Sequence, residues 1–337
     1  MKKVLYAIIC LLFVAGIAIS GKPTSAEAAK STTIKLAHGA NEADVTGQTA
    51  LKFQDLVKQY SEGRIKVQIF PNNQLGGEQE AVQDLRTGAL EAAIVYTGNL
   101  KPMAPSVGVL MLPYMFDDNK SAWGAMDALY DELNQRVIKE AGVRFVGYFE
   151  KGFRVLSNSK KPVETIEDLK GLKIRVSKVD IAIETFSAWG LEPIPMAWSE
   201  VFTAMQQRVI DGQENPYAVI NDMKFYEVQK YITEIHYLLW TGPILLSEKV
   251  FQSMSPEDQN VLVKAGKEAA NYGRNLSYTM EQEAKKKLME KGMVLVGPPK
   301  DEKKWKDAAM SIWPKFYKDV GGEEWVEKAL GLIKANS

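Results

Sequence analysis

The residues in this chain best equipped for chemistry are two arginines, an asparagine and two tryptophans in unusual company. Arg175 stands between Ile174 and Val176 in Gly171-Leu-Lys-Ile-Arg-Val176. The alternation predicts a strand, whose neighbouring residues face opposite sides. An arginine in an apolar strand must find a partner, because burying an unpaired charge is costly. That partner is either an anionic ligand or a carboxylate of the fold. Arg154, in Gly152-Phe-Arg-Val-Leu-Ser-Asn158, poses the same choice. If the two converge, their planar forks hold a carboxylate or sulfonate bidentately. Asn215 lies between Asp211-Gly-Gln-Glu and Pro216. Glycine and proline constrain the backbone there, so its side chain is either rigidly aimed or that of a turn asparagine. Trp198 and Trp240 are either core residues or a platform for a ligand.

Other chemistry lacks its residues. The two histidines, His38 and His236, are far apart, and the single cysteine, Cys10, lies in the N-terminal apolar run. No HExxH, CxxC or Asp-rich calcium loop occurs, so no resident metal and no cofactor are expected. No Gly-x-Ser-x-Gly elbow is present, and no carboxylate spacing singles out a catalytic pair.

The start of the chain reads as a secretory signal. Lys2 and Lys3 precede the uncharged stretch Val4 to Ile19, and Ala26-Glu27-Ala28 fits small-x-small cleavage. The expectation is a signal peptide over 1–28, a mature start at Ala29 and a periplasmic location. The alternative, a retained anchor, asks for about 20 apolar residues. Ile9 before Cys10 argues against lipid attachment. The whole chain balances 42 basic against 42 acidic residues. Loss of the signal removes three lysines and one glutamate, leaving a slightly acidic protein, which argues against nucleic acid as a partner. Roughly 310 mature residues suggest two domains.

The elements that must position these residues follow from periodicity. Ile34–His38 and Ile65–Phe70 alternate as strands, and Ala92–Tyr96 is a short apolar strand. Helices are expected over Thr46–Ser61 and from Gly76-Gly77 to about Arg86. This order implies parallel pairing with right-handed crossovers. A second unit begins near Phe153. It has a capping box at Thr165-Ile-Glu-Asp168, a strand at Lys173–Val176 and helices at Val179–Trp189 and Ser199–Arg208. Another strand is expected at Val209-Ile-Asp211. Ser255, Pro256 and Asp258 suit the start of a long helix reaching Lys291. It is either continuous, about 50 Å long, or broken near Gly273. Residues 301–335 read as closing helices packed through Trp305, Trp313 and Trp325.

Several segments in order resemble the DctP-type family of periplasmic receptors for tripartite ATP-independent (TRAP) transporters. They are Gln74-Leu-Gly-Gly-Glu78, Gly88-Ala-Leu-Glu-Ala-Ala, Leu112-Pro-Tyr-Met-Phe116 and Ser157-Asn-Ser-Lys-Lys-Pro162. To these add Gly171–Val176, Pro195–Pro216 and Phe225-Tyr-Glu-Val-Gln-Lys230. The resemblance covers essentially the whole mature chain. It implies an α/β fold of two lobes, joined by hinge strands and spanned by a long helix. Lobe I would hold 29–151 plus 240–280, and lobe II 152–239 plus 281–337. It implies Arg175 as the main carboxylate ligand, with Arg154, Asn215 and Trp198 beside it; phenylalanine is more usual at Trp198. Glu78 and Tyr96 would serve from the first lobe, Tyr237 and Trp240 from the hinge side, and His38 and Glu42 after the first strand. Bulky Tyr96, Trp198 and Trp240 argue for a small carboxylate or sulfonate rather than a nine-carbon sugar acid. The implied protein is a monomeric receptor, not an enzyme, whose partners are its organic anion and the integral membrane subunits of a TRAP transporter. The alternatives are an anion receptor for an ABC importer or sensor kinase, and an exported α/β enzyme.

Overall fold

The computed structural model of the chain describes residues 32–336. The expected signal peptide and the start at Ala29 lie outside them. In chain order the strands are β1 (Thr32–His38), β2 (Ile65–Phe70), β3 (Ala92–Ile94), β4 (Val143–Phe153), β5 (Val155–Asn158), β6 (Ile174–Val176), β7 (Ile194–Pro195), β8 (Gly212–Asn215), β9 (Tyr231–Thr233), β10 (Leu239–Ser247) and β11 (Val294–Gly297). They form two sheets, ordered β2-β1-β3-β10-β4 and β11-β9-β5-β8-β6-β7.

The first sheet follows from its sequence. β1 and β2 pair in parallel with Leu36 opposite Ile69, and β3 joins on the other side with Ala92 opposite Leu36. The intervening helices Val45–Tyr60 and Glu78–Thr87 make the crossovers. Asp44 starts the first of these by accepting the Thr46 N–H at 2.7 Å. β10 returns from far along the chain and inserts antiparallel between β3 and β4.

Two short chain crossings join the sheets, besides the long helix that leads from β10 of the first sheet to β11 of the second. Only Arg154 separates the end of β4 in the first sheet from the start of β5 in the second. The return runs from β9 through residues 234–238 into β10. The crossings touch where Arg154 N–H donates to Leu238 O at 2.9 Å.

The long helix is continuous over Pro256–Glu290, 35 residues, with Ser255 as its N-cap. Gly266 and Gly273, which weaken the helix as a sequence, are what let it lie flat on β4. They are seven residues apart, so they share one face. A Cβ on Gly266 would overlap the Val146 carbonyl oxygen, one on Gly147 of β4 would overlap Gly266 O, and one on Gly273 would press on Thr49 and Phe149. The helix buries Val261, Leu262, Ala265, Ala269 and Ala270 in the larger core, and Ala284 and Leu288 in the smaller one under the second sheet. We expect Gly147→Ala to destabilise by about 1–3 kcal/mol, toward the upper end because the atoms it meets are backbone. Urea unfolding of the mature chain reads this directly.

One strand differs from the sequence expectation. The segment Val209–Asp211 is not β8; the strand begins at Gly212, and Val209 is half exposed. Gly212 is the residue that lets β8 approach the Ser157 carbonyl closely. The strand itself is polar, Gly-Gln-Glu-Asn, yet fully buried. The three closing tryptophans are buried, and each indole N–H donates to a named oxygen: Asp301 Oδ1, Pro113 O and Ser106 O. The helix Glu323–Asn336 packs on Asn119–Ala141, while Glu302–Met310 packs on Asp180–Ala188. The closing segment therefore touches elements attached to both sheets. Among the described residues no helix is long and apolar enough to cross a membrane.

Candidate functional site

A cavity of about 290 Å³ opens at the carboxyl ends of the parallel strands of both sheets. In open α/β sheets that is where ligands bind, because loops diverge and leave a crevice there. Its walls are the loop after β1, the start of helix Glu78–Thr87, the segment after β3, the end of β4, β6 with the segment after β7, and the end of β8 with its following helix. At this size it stands at the small end of ligand sites.

Arg175 sits at the centre of β6, opposite Gln213 of β8 and Ile194 of β7. It is 4% exposed. Its Nε and Nη2 donate to Met196 O at 3.2 and 2.7 Å, which fixes the plane of the fork. Among the described residues no carboxylate bonds to it. Burial, with the nearby Arg154 adding to it and Glu214 opposing, brings its pKa down to about 10. A bound anion would offset that cost, since the group is desolvated and no carboxylate among the described residues bonds to it.

Arg154 has a different fate. Its Nε and Nη2 grip the Glu214 carboxylate, and Nη2 also donates to Glu214 O at 2.8 Å. Burial works against its charge, but Glu214, with Tyr96 and Tyr237 adding to it, holds its pKa above the usual arginine value. The expected pair of converging free guanidiniums is therefore not what the cavity presents. Arg154 lines the wall already neutralised, and Arg175 alone lacks a carboxylate.

Asn215 lines the cavity at the end of β8. Its Nδ2 donates to Gln213 Oε1 at 2.6 Å, Gln213 donates to Ser157 Oγ, and Ser157 to Gln229 Oε1. This relay fixes the amide. Trp198 opens the turn Trp198–Glu200, lies 5.9 Å from the Arg175 guanidinium and packs on Phe225. It is both lining and packing. Tyr96 and Trp240 stack at 5.6 Å and 25° to form one wall. Glu78 Oε2 accepts Tyr96 N–H at 2.8 Å and Asn99 Nδ2 at 2.7 Å, and burial raises its pKa.

Three residues marked by the sequence reading fall outside the lining. Tyr237 is buried behind Arg154, where its hydroxyl donates to Glu214 Oε2 at 3.0 Å. It packs edge-on against Phe186 and Trp189. His38 ends β1 within the core, 3% exposed, and burial lowers its pKa to about 4, so it is neutral. Glu42 is exposed. The residues that follow β1 into the cavity are instead Gly39, Ala40 and Asn41.

Sequence reasoning missed a buried ion pair in the lining. Lys151 Nζ donates to both oxygens of Asp44 at 3.0 Å and lies 4.2 Å from the centre of the Trp240 ring. Ser177, Asp222 and Asn99 also line the site. The only sequence signal was the N-cap character of Asp44; Lys151 is 107 residues away. Among the described residues no cluster of His, Cys, Asp and Glu could hold a metal ion.

A family profile described as bacterial extracellular solute-binding protein, family 7, matches residues 36–319. The 2,3-diketo-L-gulonate-binding periplasmic protein of Escherichia coli is 32% identical over 321 residues, 95% of each chain. A TRAP periplasmic solute-binding protein from Rhodobacter sphaeroides, solved in an open form without ligand, is 57% identical. It covers 91% of this chain and 100% of its own, with a TM-score of 0.80. A sugar-acid-binding protein from Advenella mimigardefordensis, solved with galactonate, is 30% identical over 91% of this chain and 99% of its own, with a TM-score of 0.84.

Proposed function

The chain belongs to the bacterial extracellular solute-binding protein family 7, and from that premise we propose that it is the periplasmic receptor of a TRAP transporter. It captures a small organic acid anion, carboxylate or sulfonate, and delivers it to the integral membrane subunits for uptake. The observation that carries this reading is Arg175: a buried arginine in a cavity wall, its plane fixed by Met196 O, with no carboxylate of its own. A flat fork held in this way offers its remaining N–H groups to a two-oxygen anion.

The same arrangement speaks for binding rather than catalysis. His38 and His236 both lie outside the cavity, so no serine there has a histidine to activate it. We assign Arg154, Glu214 and Tyr237 to holding the wall, and Asn215, Trp198, Tyr96, Trp240 and Glu78 to contact with the ligand. We further propose that lobe I (29–151 plus 240–280) and lobe II (152–239 plus 281–337) close on the ligand. The two crossings at Arg154 and at residues 234–238 would serve as the hinge.

Titration calorimetry of the mature chain tests the anion requirement. D-Galactonate is compared with galactitol, which keeps the carbons and hydroxyls and lacks the charge. Galactitol should bind more weakly by at least about tenfold, because it leaves Arg175 desolvated and unpaired. Tight binding of the neutral polyol, with no response to organic acids, would overturn the reading.

A further inference from the structure

The short helix after β8, Tyr217–Asp222, carries part of the cavity lining. Asn215 lies just before it, Val219 and Asp222 lie on it, and Met223 follows it. Its start lacks an ordinary cap. Pro216 stands at the N-cap position and has no side-chain acceptor, so the first N–H groups need a partner from elsewhere. Glu281 of the long helix supplies it. Its Oε1 accepts Ala218 N–H at 2.7 Å, and its Oε2 accepts Tyr217 N–H at 3.2 Å.

The same carboxyl group lies against the first crossing between the sheets. Gly152, two residues before Arg154, has a φ of +98°, and a Cβ there would stand 2.5 Å from Glu281 Cδ. Glu150 of β4, fully buried, holds this turn. Its carboxylate accepts Gly152 N–H, Asn119 Nδ2 at 3.1 Å and Ser277 Oγ at 3.2 Å. The second crossing is tied to the same place. Glu234 Oε1 accepts the Tyr217 hydroxyl at 2.7 Å and Lys285 Nζ at 2.6 Å, and Lys285 stands about one helical turn after Glu281.

The charged and titratable neighbours of Glu281 are therefore Glu150 and Lys151 of β4, Glu234 of the second crossing, Tyr217, and Lys285 on its own helix. Two carboxyl groups meeting at Gly152 do not both ionise easily. Glu150 has three donors to hold its charge and Glu281 has two, so Glu281 takes the proton first. Desolvation lifts the Glu281 pKa to about 8; Glu150 adds to the rise, while the Ala218 and Tyr217 N–H groups and Lys151 oppose it. Only the charged form offers both oxygens as acceptors, because protonation turns one of them into a donor.

We infer that Glu281 is a positioning residue of the site: its charged carboxylate replaces the cap that Pro216 lacks, fixes the helix Tyr217–Asp222 against the crossing at Gly152, and so lets the cavity hold its anion tightly. This inference rests on the organic-acid reading above and adds a residue outside the lining to it. Affinity should rise as Glu281 ionises. A carboxylate acting only through space would do the reverse, since its charge repels an anion. The sign of the pH effect therefore separates the two roles.

Calorimetry of the native mature chain and of Glu281→Gln at pH 6 and pH 9 reads that sign. The probes are D-galactonate, D-erythronate, succinate, pyruvate and isethionate, and the tightest binder is carried through. At pH 6 the neutral carboxyl resembles glutamine, so the two chains should bind alike. At pH 9 the native chain should bind about tenfold tighter than the variant, the effect of one charge-assisted hydrogen bond. Glu78 and Asp222, whose pKa values burial also raises, ionise in both chains and drop out of the ratio. A second readout needs neither variant nor probe: the amide resonances of Tyr217 and Ala218 in the native chain should shift with a midpoint near pH 8. An affinity ratio equal at the two pH values, or one that favours the variant at pH 9, would overturn the inference alone. So would amide resonances that do not titrate. If none of the five acids binds the native chain, the organic-acid reading falls, and this inference with it.

Discussion

Replacing Arg175 by lysine should cost the protein most of its affinity for an organic anion while leaving the fold intact. The native guanidinium spends Nε and one Nη2 hydrogen on Met196 O and still has N–H groups left for a ligand. A lysine ammonium has three donors around one point. If it reaches Met196 O it cannot also present two parallel bonds to a carboxylate. Truncating one partner of a buried charge pair costs roughly 2–5 kcal/mol, a loss of about thirtyfold to several thousandfold in Kd. Stability should move little, because among the described residues no carboxylate bonds to Arg175 and the change breaks no ion pair. Calorimetry of Arg175→Lys with the acid that binds the native protein measures the loss. Unchanged affinity would remove Arg175 from the site.

Arg175 and Arg154 also mark how far the sequence could be read. Each lies between apolar neighbours near a proposed cleft, and local pattern gives both the same two choices, ligand or ion pair. The fold divides them. Glu214 is 60 residues from Arg154 and claims it, while Arg175 receives only a carbonyl oxygen. No periodicity reports such a pairing. The same holds for Lys151 with Asp44. Where the signal is local, the reading succeeds: Ile65–Phe70 alternates and is a strand at those bounds, and Ser255-Pro256 opens the long helix. β8 was misplaced by a few residues for the converse reason. Hydrophobic pattern favours Val209-Ile-Asp211, whereas the buried strand is polar because each side chain answers a distant group: Gln213 to Ser157, Glu214 to Arg154, Asn215 to the cavity. The motif reading singled out Asn215 in Gln-Glu-Asn-Pro and passed over the glutamate beside it, which organises the wall.

That glutamate carries the largest expected effect on stability. Glu214 is fully buried, and its carboxylate takes the Arg154 fork and the Tyr237 hydroxyl. Glu214→Gln keeps the shape and removes the charge. One of the two oxygens becomes an NH2 that faces a donor, and Arg154, 2% exposed, is left as an unpaired buried cation. Breaking a buried pair in this way costs roughly 3–5 kcal/mol. We therefore expect Glu214→Gln to unfold at a distinctly lower urea concentration than the native chain. Replacing both partners by apolar residues, Arg154→Met with Glu214→Leu, should recover most of that loss, because no charge then remains without a counterion. If the single variant is as stable as the native protein, the pair is solvated in solution and Arg154 is free to meet the ligand. If the double variant is no better than the single one, the wall depends on the hydrogen bonds of Glu214 to Tyr237 and Arg154 rather than on charge neutralisation. The two outcomes separate electrostatic balance from hydrogen-bonded shape as the reason Arg154 and Glu214 lie together where the chain crosses between the sheets.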